Sequence, residues 1–128
     1  MEKGCCGGNC GETLIFTCAG AAHSGQVANR AGISLMQEGQ GNLFCIAAVG
    51  AAIPDKLERA RNAGKRVVID GCEDHCARKI MEQANLPVDL HVDVTTLGIE
   101  KKPAEPHLIV DAKRVVEHVA ETLSQERS

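Results

Sequence analysis

Four short apolar runs, each followed by a stretch with helical periodicity, constrain this chain more than any other feature. The runs are "TLIFTC" (13–18), "NLFCIAAVG" (42–50), "RVVID" (66–70) and "VDLHVDV" (88–94). The first three are apolar almost throughout, as strands buried on both faces must be; the fourth alternates Leu90, Val92 and Val94 with polar residues, as a half-exposed edge strand does. Between them, Val27, Ala31 and Leu35 line one face of a helix capped at Ser24 or nearby. Pro54 opens a second helix with Leu57, Ala60 and Ala63 inward and Gly64 at its end. Ala77, Ile80, Met81 and Ala84 define a third, closed by Pro87. From Pro106 to Ser124, Leu108, Ala112, Val115, Val116, Val119, Ala120 and Leu123 keep one face of the last helix apolar. Such alternation predicts an α/β fold: a single doubly wound domain over 13–128, with a four-stranded, mainly parallel sheet and helices on both faces. The natural strand order is 2-1-3-4.

At 128 residues the chain has the length of one domain with one core. Aromatic residues are 2% of it, so aliphatic side chains must build that core, and single-stranded nucleic acid finds no stacking platforms. The net charge of −3 leaves no basic footprint for phosphate backbones or anionic lipid. No run approaches the roughly 18 apolar residues of a membrane span, and "MEKGCCGGNC" lacks the apolar core of a signal peptide. These features predict a cytoplasmic protein with no nucleic-acid or membrane partner; they leave room for a homo-oligomer. In that compartment, seven cysteines point to metal or redox chemistry rather than to a disulfide framework. Three of them, Cys5, Cys6 and Cys10, lie in a glycine-rich segment (1–12) that reads as a flexible arm and supplies candidate accessory thiols.

The other four share a position in the fold. Cys18 closes the first predicted strand, Cys45 lies within the second, and Cys72 follows the third, at the sheet edge where open α/β domains bind ligands. Neighbouring strands run about 4.8 Å apart, and two thiolates on one zinc lie roughly 3.8 Å apart, so small adjustments bring such sulfurs together. Cys76 joins them if it falls in the first turn of the helix after "DGC", whose amides and dipole favour thiolate charge. The pattern predicts a zinc-binding, four-cysteine site of structural or metal-handling type, with an iron–sulfur cluster as the alternative cofactor. Four thiolates leave zinc no open position for a water nucleophile, so the pattern assigns no catalytic residue. The competing use is thiol–disulfide exchange between Cys72 and Cys76 with the arm cysteines, although Glu73 and Asp74 place negative charge beside those thiols. His23 and His75 are candidates to orient ligands through hydrogen bonds, and Asp70 to bind the amides of the cysteine turn.

The stretches "FTCAGAAHSGQVANRAG", "NLFCIAAVGAAI" and "VVIDGCEDHCARKIME" resemble the DGC-domain proteins, a prokaryotic family named for its Asp-Gly-Cys motif. The likeness spans about residues 13–102. It implies a metal site in which the family's four proposed ligands fall on Cys18, Cys45, Cys72 and Cys76, and it implies no reaction. The loop "CAGAAHSGQ" also resembles two phosphate-binding loops. Gln26 stands where a P-loop needs lysine, and Ser24 stands where the low-molecular-weight phosphatase loop needs arginine, so neither an NTPase nor a phosphatase is expected.

Overall fold

In the computed structural model, which describes residues 11–106 and 108–127, four parallel strands lie in the order β2-β1-β3-β4. The strands are β1 (Thr13–Thr17), β2 (Asn42–Phe44), β3 (Lys65–Asp70) and β4 (Leu90–Asp93). Helices α1 (His23–Gln37), α2 (Ile46–Gly50), α3 (Pro54–Asn62), α4 (Cys76–Gln83) and α5 (Leu108–Arg127) connect or follow them, and a 3-10 turn (Val94–Leu97) follows β4. The doubly wound α/β reading and its strand order are those observed.

The two central strands explain the burial. Ile15, Val67 and Ile69 face one way, into a core completed by Val27, Ala31 and Leu35 of α1 and by Ala112, Val115 and Val119 of α5. Leu14, Phe16 and Val68 face the other way, onto Val49 of α2, Ala60 of α3 and Met81 of α4. Period-two alternation therefore feeds two cores, each covered by helices, and the strands read as continuous apolar runs. The edge strand β4 buries Val92 and leaves Leu90, His91 and Asp93 half-buried.

Two local expectations are corrected. The apolar run 42–50 is not one strand: pairing with β1 stops at Phe44, Cys45 caps a helix, and Ile46–Gly50 is that helix. An apolar run of this length fits either state, and "IAAVG" gains helix propensity from its alanines while Val49 packs on the α2–α4 side of the sheet. The helix after β1 begins at His23 with Ala22 as its cap residue, so Ser24 lies inside the first turn and caps nothing.

One buried cation holds the connection into β3. The Arg66 guanidinium donates to the carbonyls of Ala60, Arg61, Ala63 and Pro87 and pairs with Asp89 at 3.5 Å, so the carbonyls left over at the end of α3 find donors. At the start of the sheet, the Glu12 carbonyl accepts from the amides of Gly64 and Lys65, and its carboxylate accepts from Asn42 and Arg59. Residues 1–10 of the predicted arm, with Cys5, Cys6 and Cys10, lie outside the described residues.

Arg59 holds the Glu12 carboxyl below its ordinary value of 4.5. A carboxyl depressed in the folded state contributes stability that is present above its unfolded value and disappears as pH falls through the folded one. The urea midpoint of wild type should therefore exceed that of Glu12→Gln at pH 7, and the gap should close on acidification below about pH 4. A gap that stays constant down to pH 3 would show that the Glu12 charge adds nothing.

Candidate functional site

The carboxyl ends of β1, β2 and β3 meet at one rim. Register pairs Phe16 with Phe44 and Thr17 with Ile69, so the chain leaves three adjacent strands at nearly one level. Cys18 extends the ladder by one bond, its amide donating to the Ile69 carbonyl at 3.0 Å. Its Sγ then accepts the Gly20 amide at 3.3 Å. Cys72 lies two residues beyond β3, with its Sγ 3.7 Å from Asp74 Oδ2. Cys76 is the first residue of α4, as the spacing predicts, and Cys45 stands exposed at the head of α2.

Three of these thiols share a pocket. Cys18, Cys72 and Cys76 line a cavity of about 310 Å³ together with Ser24, Asp74 and Lys101. Cys45 lines a neighbouring hollow of about 380 Å³ with Phe44 and with Thr17 and Ala19, the residues on either side of Cys18 in sequence. All four cysteines are free thiols. As placed, no three His, Cys, Asp or Glu side chains among the described residues stand close enough together to hold one metal ion. Although Cys76 is exposed, the desolvation its thiol does meet, the neighbouring Cys18 and Cys72, and the carboxylates of Asp70 and Asp74 push that thiol up.

Asp70 anchors the cysteine turn from below. It is fully buried, and its carboxylate accepts the amides of Ala77 at 2.8 Å and Arg78 at 3.2 Å, capping α4 from the end of β3. His91 of β4 reaches the same carboxylate through Nε2 at 2.8 Å. His75 turns the chain into α4 with a left-handed backbone (φ 51°), which costs a non-glycine residue energy that its contacts must offset. Those contacts are Asp93, 3.0 Å from Nε2, and an edge-to-face packing on the His91 ring at 4.6 Å. Burial works against the Asp93 charge, but the hydroxyl and amide of Thr95 and the ring of His75 bring its carboxyl below the usual range.

His23 is engaged elsewhere. Buried at the start of α1, it accepts the Glu105 amide at Nδ1, which places the ring proton on Nε2 for Asp111 at 2.7 Å. It thereby ties α1 to α5. His91 and Lys101 carry no local sequence signal that separates them from ordinary surface residues; His91 becomes visible only once β4 is set beside β3, where it pairs with Val68.

The backbones close tightly under the pocket. A Cβ on Gly71 would lie 2.6 Å from Gly25 Cα, and one on Gly25 would lie 2.7 Å from the Gly20 carbonyl oxygen. Side-chain-free residues are thus required where the end of β3 meets the first turn of α1. Among the described residues, no helix is long and apolar enough to cross a membrane.

Fold and rim together define a parallel α/β domain that presents thiols at the carboxyl edge of its sheet. The chain belongs to the DGC domain family, whose profile matches residues 14–120. It is similar to the anaerobic and virulence modulator AnvM of Pseudomonas aeruginosa, with 28% identity over 102 residues, covering 80% of this chain and 78% of that protein. No solved structure gives a significant match.

Proposed function

We propose that this protein binds a thiophilic metal ion, zinc, through Cys18, Cys72 and Cys76 with Cys45 as the fourth ligand, in a structural or metal-handling role. The observation that carries this reading is the shared pocket: three free thiols from two strand ends and one helix start line the same cavity. Soft sulfur donors select zinc, copper(I) or iron–sulfur clusters over hard cations. Asp70 and Asp74 lie near the same thiols, so the local field attracts a cation. That field also disfavours the Cys76 thiolate in the absence of a metal, which weakens the reading of Cys72 and Cys76 as a redox pair. Binding requires Cys18, Cys72 and Cys76 to draw together within their pocket, since no three such side chains stand within reach of one ion as placed, and Cys45 to close in from the neighbouring hollow.

Protein purified under reducing, anaerobic conditions should take up one zinc per chain, read by elemental mass spectrometry. Cys72→Ser should lower metal content and melting temperature together. Loss of a direct ligand should weaken affinity by more than the roughly 10–100-fold that an outer hydrogen-bond partner costs. Substoichiometric zinc after reconstitution, with a reversible Cys72–Cys76 disulfide in its place, would overturn the metal reading in favour of thiol exchange. Brown protein with visible absorption would replace zinc by an iron–sulfur cluster.

A further inference from the structure

The pocket that holds Cys18, Cys72 and Cys76 also holds an oxygen donor that a four-thiolate site leaves idle. Asp74 lines this cavity, whereas Cys45 lines the neighbouring one. Asp74 Oδ2 lies 3.7 Å from Cys72 Sγ and 3.8 Å from Lys101 Nζ, and its side chain is 65% exposed. Asp70, the other carboxylate near these thiols, is fully buried, and its oxygens are occupied by the Ala77 and Arg78 amides and by His91. Exposure and charge therefore suit Asp74 to meet a hydrated cation first. A carboxylate presents its oxygens already charged at neutral pH, whereas a thiol must give up a proton before it ligates. Zinc accepts carboxylate oxygen beside sulfur, and a site with an exchangeable fourth donor is open where a four-thiolate site is closed.

Resting on the metal reading above, we infer that Asp74 is the entry ligand of this site: it holds the fourth place beside Cys18, Cys72 and Cys76 while the ion loads, and Cys45 then displaces it. In that exchange the Cys45 thiol releases its proton to solvent, and its sulfur takes the coordination place. The Asp74 oxygen leaves with its electron pair and returns to Lys101; nothing is oxidised or reduced. Lys101 thus competes with the ion for Asp74 and slows its capture. Loading in two stages accounts for a fourth cysteine that stands outside the pocket its three partners share. It also assigns the site to metal handling.

The test is stopped-flow metal uptake by the reduced, metal-free full chain under anaerobic conditions. Zinc, with its filled d shell, gives no colour, so the probe is cobalt(II), whose thiolate absorption grows with each sulfur bound. Asp74→Asn should load about tenfold more slowly, the low end of what a focused charge adds to an on-rate, yet reach the full wild-type absorption. Glu73→Gln removes the same charge from a neighbour that does not line the pocket, and should load close to the wild-type rate. Lys101→Ala should speed loading by up to about fivefold, the most that releasing an exposed ion pair yields, and only while Asp74 is present. Cys45→Ala should load as fast as wild type but stop at the lower absorption of three thiolates. Equal rates for wild type and Asp74→Asn, an equal slowing in Glu73→Gln, or failure of Cys45→Ala to take up the ion would overturn the inference and leave the metal reading standing. No uptake by wild type would sink both.

Discussion

Asp70→Ala should destabilise the protein by about 3–5 kcal/mol, and the proposed metal binding should be lost with it. The carboxylate is fully buried and serves three donors: the Ala77 amide, the Arg78 amide and His91 Nε2. Removing it strands two amides at the head of α4 and one imidazole N–H on β4. The cap of α4 is lost too, since the residue in the cap position, His75, makes no side-chain bond to the helix amides. Cys72 and Cys76 flank the turn that this cap holds, so their relative placement becomes a matter of chain entropy. Asp70→Asn separates the two roles. Asparagine keeps one acceptor oxygen for an amide but turns an NH₂ toward another donor, so its cost should fall between alanine and wild type. Urea unfolding gives the stability, and zinc stoichiometry gives the site. An alanine variant within 1 kcal/mol of wild type would mean that water replaces the carboxylate, and that the turn does not depend on it.

How far the sequence reaches follows the range of each interaction. The central strands were legible because burial on both faces leaves an unbroken apolar signature, as in Leu14–Phe16 and Val67–Ile69. Helix α5 was legible because its apolar positions repeat at helical spacing over five turns. Placing Cys18, Cys72 and Cys76 at one rim needed only strand ends and parallel topology, both of which the alternation supplies. Cys45 shows where that reasoning stops: whether "FCIAAV" continues a strand or turns into a helix depends on where β1 ends, a tertiary fact that local composition does not contain. The bond from His91 to Asp70 is of the same kind, joining residues 21 apart through the register of β3 and β4. Ser24 reads as a cap because serine commonly is one; the helix instead starts two residues earlier, with Ala22 in the cap position and the His23 amide bonded to the Lys102 carbonyl.

The middle residue of the Asp-Gly-Cys motif should be as intolerant as the first. Gly71→Ala is expected to cost about 3 kcal/mol, near the upper end for inserting a single methyl into a packed interior. Its Cβ would stand 2.6 Å from Gly25 Cα, 2.7 Å from Gly25 N and 2.9 Å from the Ser24 carbonyl carbon. All three atoms are backbone, so no side chain can rotate away, and ordinary contact begins only at 3.4 Å. Relief therefore requires the first turn of α1 to move off the end of β3 by close to 1 Å, in an interior packed too densely to absorb it locally. The displacement would part Cys18, which precedes α1, from Cys72, which follows Gly71. Metal affinity should fall along with stability. Gly50→Ala serves as the control, since its Cβ would meet only Ile80 at 3.8 Å, and a helical glycine replaced by alanine is neutral or stabilising by up to about 1 kcal/mol. Equal midpoints for the two variants would show that α1 slides freely against β3, and the rim would then lack the rigidity that a preformed thiol pocket requires.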